Sequence, residues 1–135
     1  MKPIDYAKAL GIAATVLIVD VLIAICVVYF YAAVVNPGHP RTYYETAGIG
    51  VARLSTRIAG TALLFAAAWL FARRRPERNA YMFAIALTVF YALLDGASVG
   101  FRGVFIASFA FTIGLKLAGS LAGALVATRS QSATA

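Results

Sequence analysis

Three charged residues lie inside long apolar stretches of the sequence: Asp20, Asp95 and Lys116. Carboxylates and amines at such positions are typical of proton relays and ion-coupling sites. The same residue types also form buried ion pairs that hold helices in register and do no chemistry. The sequence therefore leaves a structural and a chemical interpretation open for these residues.

The surrounding composition indicates the kind of fold that must position them. Of the 135 residues, 62% are hydrophobic, and the mean hydropathy is +0.85. Soluble domains are about 45–50% apolar, so lipid must be the solvent for much of this chain. A membrane span needs about 20 apolar residues, which leaves room for four. The sequence predicts an all-α, integral membrane four-helix bundle.

The four spans are predicted at about residues 9–35, 49–72, 80–100 and 104–127, within one transmembrane domain of residues 1–128. Prolines in "NPGHP" end the first span, and "RRRPERN" ends the second. "GFRG" makes a tight turn between the third and fourth spans. The polar residues 129–135 are expected to form a short disordered tail.

Basic residues orient the predicted bundle. With a cytoplasmic N-terminus, seven lie on the cytoplasmic side and four on the other, so both termini are predicted to be cytoplasmic. The first loop, Asn36 to Gly48, then faces outward, and the first span is read as a retained signal anchor. The Ala- and Arg-rich composition points to a bacterial inner membrane. "RRRPER" sets the topology, with attraction to anionic lipids as a secondary effect.

Polar residues of the third span fall on one helical face, which cannot be turned to lipid because lipid offers no hydrogen bonds. This face carries Ala84, Thr88, Tyr91, Asp95, Ser98 and Arg102. The other faces carry Met82, Phe83, Leu87, Val89, Phe90, Leu93 and Leu94. The polar stripe is predicted to face neighbouring helices or a wet cavity.

The fourth and second spans show comparable faces. Lys116 shares a face with Ser108, Thr112, Gly119 or Ser120, and Gly123. Arg53 and Arg57 begin the second span and are followed on roughly the same face by Gly60, Leu64 and Ala68.

Matching depth in antiparallel helices then predicts two ion pairs. These are Asp20 with Lys116, and Asp95 with Arg57, with Arg53 and Arg102 left open as other partners for Asp95. Gly96 with Gly100, and Gly119 with Gly123, have the four-residue spacing that lets helices approach closely. Packing within the bundle is the first use expected of them, and oligomerisation the second.

The sequence contains no arrangement that predicts catalysis, and no catalytic residues, cofactor or metal site are expected. His39 is the only histidine and Cys26 the only cysteine, so neither can build a metal site without other ligands. Arg41, Tyr43 and Tyr44 resemble interfacial anchors. Their segment, "RTYYETAGIG", is interpreted as a short surface helix or a partner contact.

In one respect the chain resembles the small multidrug-resistance transporters, which are similarly short four-span proteins with a carboxylate midway along the first span. Asp20 occupies a comparable place. That family uses a glutamate there, and a lysine midway along the fourth span would repel cationic drugs. No family membership is assigned.

Two classes of function follow. The first is a non-enzymatic subunit, assembly factor or scaffold protein with a buried ion-paired core. The alternative is a small transporter or proton- or ion-coupled carrier that uses Asp20, Asp95 and Lys116. The expected partners are the lipid bilayer, a membrane protein or further copies of the chain, and an anionic lipid headgroup on Arg53, Arg57 and Arg102. Nucleic acid is not expected, because no basic and aromatic surface remains once the spans are drawn.

Overall fold

A computed structural model describes residues 2–99 and 106–132 of the chain. Helix α1 spans Pro3–Phe30 and continues as a π-helical turn, Tyr31–Val35. Helix α2 spans Arg41–Arg74, α3 spans Ala80–Val99 and α4 spans Ile106–Ser132. The predicted all-α class is confirmed over the described residues, which contain no strand. All four helices are long and apolar enough to cross a membrane.

Helix α1 begins six residues before the predicted start of the first span. Pro3 occupies the first turn, where its missing N–H costs no hydrogen bond. The carboxylate of Asp5 accepts a hydrogen bond from the backbone N–H of Lys2 at 2.8 Å. It also pairs with Arg78, which follows α2, at 3.3 Å. These contacts tie the start of α1 to the loop between α2 and α3.

Helix α2 begins inside the segment predicted as the outer loop. The loop is therefore shorter than Asn36 to Gly48, and the predicted surface helix is the first part of α2. Arg41 and Glu45 pair one turn apart at 3.0 Å, which favours a helix. The Tyr44 hydroxyl donates to the Asn36 carbonyl at 2.6 Å. Local hydrogen bonds thus extend the helix beyond its apolar run.

The prediction of a disordered tail from residue 129 is wrong as far as Ser132. Helix α4 continues through this residue. The side-chain amide of Gln131 donates to the Ala72 carbonyl at 3.1 Å, and Ser130 donates to the Ala127 carbonyl at 2.9 Å. The first bond supplies a donor near the end of α2, where carbonyls lack helical partners. Docking against α2 therefore orders these polar residues.

The helices form a ring in which α1 and α4 each contact both α2 and α3. Helices α2 and α3 also touch across the centre, whereas α1 and α4 make no close backbone contact within the described residues. The larger core cluster joins α1, α2 and α3 and includes stacked rings of Phe71 and Phe83, 3.5 Å apart. A second cluster consists of alanines of α2, α3 and α4.

Small residues bring α2 and α4 together. A Cβ atom added at Gly119 would meet the Thr61 side chain, and one added at Gly123 would overlap the backbone carbonyl of Phe65. The Gly119–Gly123 spacing is thus used for packing within the chain. Gly96 is different, because a Cβ there would lie 3.8 Å from the ring of Phe109, an ordinary contact. Gly100 and the "GFRG" turn lie outside the described residues.

Candidate functional site

Three polar side chains from three helices meet in the centre of the bundle: Asp20 of α1, Tyr91 of α3 and Lys116 of α4. The Tyr91 hydroxyl donates to Asp20 Oδ2 at 2.6 Å. Lys116 Nζ donates to the same oxygen at 3.2 Å and to the Tyr91 hydroxyl at 2.7 Å. The ammonium also lies 4.1 Å from the centre of the Tyr91 ring. Every pair within the Asp20–Tyr91–Lys116 cluster is therefore in contact.

Gly60 of α2 makes the space for this cluster. A Cβ at residue 60 would lie 2.6 Å from both Asp20 Oδ2 and Lys116 Cε, closer than real Cβ contacts. Because α1 and α4 make no close backbone contact, the Lys116 side chain spans the gap between these helices to reach Asp20. The missing side chain at Gly60 opens that route. All four helices thus contribute to the cluster.

The cluster is closed to solvent in this conformation. Asp20, Tyr91 and Lys116 are each 1% exposed. The opposite charges of the two ionised groups offset each other, as a buried pair requires. One polar atom of the cluster has no partner: Asp20 Oδ1 is buried and accepts no hydrogen bond within the described residues. Such an atom leaves one acceptor of the cluster available.

Tyr91→Phe should lower the free energy of unfolding by about 1–3 kcal/mol, because two bonds to charged groups are lost. The measurement is unfolding by a denaturing detergent in mixed micelles, followed through helicity. Tyr81→Phe on the same helix is the matched control. Its hydroxyl lies 3.5 Å from Thr128 on the exposed surface, so a change within about 0.5 kcal/mol is expected. Equal effects of both variants would contradict a special role for the Tyr91 hydroxyl.

The second predicted ion pair, Asp95 with Arg57, is not formed. Arg57 instead donates to Thr112 Oγ1 at 3.2 Å and to Ser108 Oγ at 2.9 Å, and its guanidinium lies 5.6 Å from the ring centre of Phe111. The physical reason is the packing of the helices. Helix α2 packs most extensively against α4, so the Arg57 side chain lies against the hydroxyl groups of α4. Two hydroxyl oxygens thus accept N–H hydrogen bonds of Arg57 in place of a carboxylate.

Asp95 is half-buried, one turn beyond Tyr91 on α3. Its carboxylate forms no hydrogen bond or ion pair with any described residue. Arg53, another predicted partner, is exposed. Arg102, the third, lies outside the described residues. The expected outer cluster of three arginines is therefore not assembled by the described part of the chain.

The remaining stripe residues of α3 bond to their own helix. Thr88 is buried and donates to the Ala84 carbonyl at 3.0 Å. Ser98 is exposed and donates to the backbone carbonyl of Asp95 at 2.8 Å. Phe83 and Leu87, which sequence periodicity put on the other faces, are fully buried. The buried face of α3 is wider than its polar stripe because both α1 and α4 pack against it.

The position of Tyr91 on the polar stripe was predicted from the sequence, but its contact with Asp20 and the ion pair of Asp5 were not. The position of Tyr91 one turn before Asp95 is the sequence feature that could have indicated a polar contact for its hydroxyl. An acid in the first turn of α1 and a basic loop after α2 are the sequence features that could have indicated the pair of Asp5 with Arg78. Within the described residues, no group of three or more His, Cys, Asp and Glu side chains could hold a metal.

The loop between α1 and α2 has its own hydrogen-bonded group. Asn36 Nδ2 donates to the hydroxyls of Tyr31 and Tyr43, at 3.2 and 2.9 Å. The His39 ring stacks on Tyr43 with ring centres 4.3 Å apart, and the His39 backbone N–H donates to the Tyr44 hydroxyl at 3.1 Å. These contacts give the loop a structural role.

The described residues define the class of this chain: an all-helical protein with helices long and apolar enough to span a membrane, around a buried charged cluster. Comparison with family models, with curated proteins and with solved structures found no match.

Proposed function

We propose that the chain is a multi-pass bacterial inner-membrane protein with both termini cytoplasmic. The support is the helix lengths together with the distribution of basic residues, which are dense in "ARRRPERN" between α2 and α3. Fusing a fluorescent protein and, separately, a periplasmic phosphatase to the C-terminus tests this orientation. Fluorescence without phosphatase activity is expected, and the reverse result would refute it.

Its function is that of a non-enzymatic subunit, assembly factor or scaffold protein. The observation that carries this proposal is the closed Asp20–Tyr91–Lys116 cluster. The three side chains form hydrogen bonds with one another, with only Asp20 Oδ1 left without a partner among the described residues, and each is 1% exposed. Buried polar networks of this kind hold helices in one register. A rigid bundle with a defined surface is what a subunit or scaffold needs.

The test is gentle extraction of the tagged full-length chain followed by native mass spectrometry. A complex of fixed stoichiometry with another membrane protein, or with further copies of the chain, is expected. The variant D20L/Y91F/K116M, which replaces the cluster by apolar groups, should keep that complex. Recovery of the wild type as a monomer in two different mild detergents would refute the proposal.

A second function, a proton- or ion-coupled carrier, has specific support in two carboxylates. Asp20 Oδ1 is buried without a hydrogen-bond partner, and half-buried Asp95 has no partner among the described residues. Carboxylate oxygens that lack a hydrogen-bond partner inside a membrane bundle are candidates for binding protons or ions. Proteoliposomes loaded with a pH-sensitive dye distinguish the two functions. A carrier would acidify the lumen under an inward proton gradient and lose this flux in D20L/Y91F/K116M, whereas a scaffold would give no flux above empty liposomes.

A further inference from the structure

A groove lies between the start of α1 and the end of α2, with a volume of about 350 Å³. Its floor is apolar, and its rim is basic. The floor consists of Ile12, Ala67, Leu70 and Phe71. The basic rim consists of Lys8, Arg74 and Arg75. The groove therefore places three cations beside an apolar channel.

The charges of the basic rim form no direct pair within the described residues. Lys8, Arg74 and Arg75 are exposed, and their side chains form no ion pair or hydrogen bond with any described residue. Neighbouring basic residues are engaged elsewhere. Arg78 pairs with Asp5 at 3.3 Å, and Arg73 lies 4.8 Å from the centre of the Trp69 ring.

Two acids are close to the rim. Asp5 lies one turn before Lys8 on α1 and interacts with it electrostatically, but its carboxylate pairs directly with Arg78. Glu77 lies in the polar loop that follows α2, where it lines a common groove with Arg74, Arg75 and Arg78. Because Arg78 is paired with Asp5, Glu77 can offset one charge of the rim at most. The rim therefore keeps a net positive charge, and a positive rim selects an anion.

The chemistry of rim and floor together identifies an amphiphile. Lys and Arg side chains bind phosphate oxygens through charge-assisted hydrogen bonds. A free anion would leave the apolar floor uncovered. A helix of another protein would bury three unpaired cations, which is costly. An anionic lipid satisfies both parts, since its phosphate meets the rim while its chain covers the floor.

We propose that this groove is a binding site for an anionic glycerophospholipid. The headgroup phosphate lies against the basic rim, and the first part of one acyl chain lies along the apolar floor. The ends of α1 and α2 that form the groove are at the same side of the bundle, where headgroups of one leaflet are located. The site does not depend on which side of the membrane that leaflet faces.

Native mass spectrometry of the full-length protein in mild detergent tests this site, with equal amounts of phosphatidylglycerol and phosphatidylcholine added. The wild type should retain phosphatidylglycerol preferentially. Removing two rim charges in K8Q/R74Q should lower this preference by about tenfold. The control K2Q/R73Q removes the same charges from the same two chain segments but outside the groove, and it should keep the preference. Matched elution volumes and helicity verify that each variant is folded.

Ala67→Leu tests the floor without changing charge. By filling the channel it should weaken retention of phosphatidylglycerol, and it remains informative if K8Q/R74Q does not fold. Three results would overturn the proposal: K8Q/R74Q binding like the wild type, equal losses in K8Q/R74Q and K2Q/R73Q, or unchanged binding by Ala67→Leu. Displacement of the lipid by millimolar inorganic phosphate would also overturn it, because the site would then recognise the anion alone.

Discussion

Replacing Lys116 alone by methionine is expected to lower the free energy of unfolding by about 3–5 kcal/mol, because Asp20 would remain buried without its counter-charge. Asp20→Leu should have an effect of similar size, since it leaves the ammonium unpaired. Both are measured by unfolding in mixed micelles. Both side chains are 1% exposed, so solvent cannot take over the lost interaction.

The combined variant should recover most of this loss. Asp20→Leu with Lys116→Met still leaves the Tyr91 hydroxyl buried without a partner, so the variant to compare is D20L/Y91F/K116M. Replacing a buried pair by apolar groups of similar volume is often neutral or stabilising. Stability within about 1 kcal/mol of the wild type is expected.

Glu45→Gln is the matched control for the loss of an acid from an ion pair. Its partner Arg41 lies one turn away. The side chain of Arg41 is 92% exposed and that of Glu45 is 62% exposed. Exposed pairs of this kind contribute little to stability, so a change below about 0.5 kcal/mol is expected. An effect of Lys116→Met no larger than that of Glu45→Gln would contradict the buried ion pair.

Gly123→Ala should destabilise the bundle, although alanine is the better helix former. The added Cβ would overlap the Phe65 carbonyl of α2. Backbone cannot move aside as a side-chain tip can, so α2 and α4 must separate. A loss of about 1–3 kcal/mol is expected, as for other overpacked sites.

Gly114→Ala is the control on the same helix. A Cβ at residue 114 would meet nothing within 4 Å, so only the intrinsic helix preference remains, which favours alanine by up to about 1 kcal/mol. The two variants should therefore shift the unfolding midpoint in opposite directions. A shift of the same sign in both would show that the Gly123 contact does not limit the distance between α2 and α4.

Hydropathy and helical periodicity predicted the four helices from the sequence because both depend on local geometry and on transfer of side chains from water. The third helix was predicted at residues 80–100 and is observed at Ala80–Val99. Boundaries set by polar contacts were less predictable. Arg41 begins α2 and Ser132 ends α4. Polar side chains form hydrogen bonds near both ends, from Arg41 to Glu45 and from Gln131 to the Ala72 carbonyl.

The two predicted ion pairs show how much of the site could be predicted from the sequence. Matching depth brought Asp20 and Lys116 together, and the structure places them 3.2 Å apart. The same reasoning joined Arg57 to Asp95, and here it failed. The position of a charge along its helix follows from that helix alone. Its ion-pair partner depends on which helices are adjacent and which side chains face each other.

The sequence by itself determined the helices, their apolar character and the small-residue spacing of α4. Only the tertiary structure decided that Gly60 opens the route from Lys116 to Asp20, that Tyr91 bridges them and that Arg57 turns to the hydroxyls of α4. The reason is physical. Rise and rotation along one helix follow from its own residues, but the order of helices in the bundle depends on contacts between residues far apart in the chain.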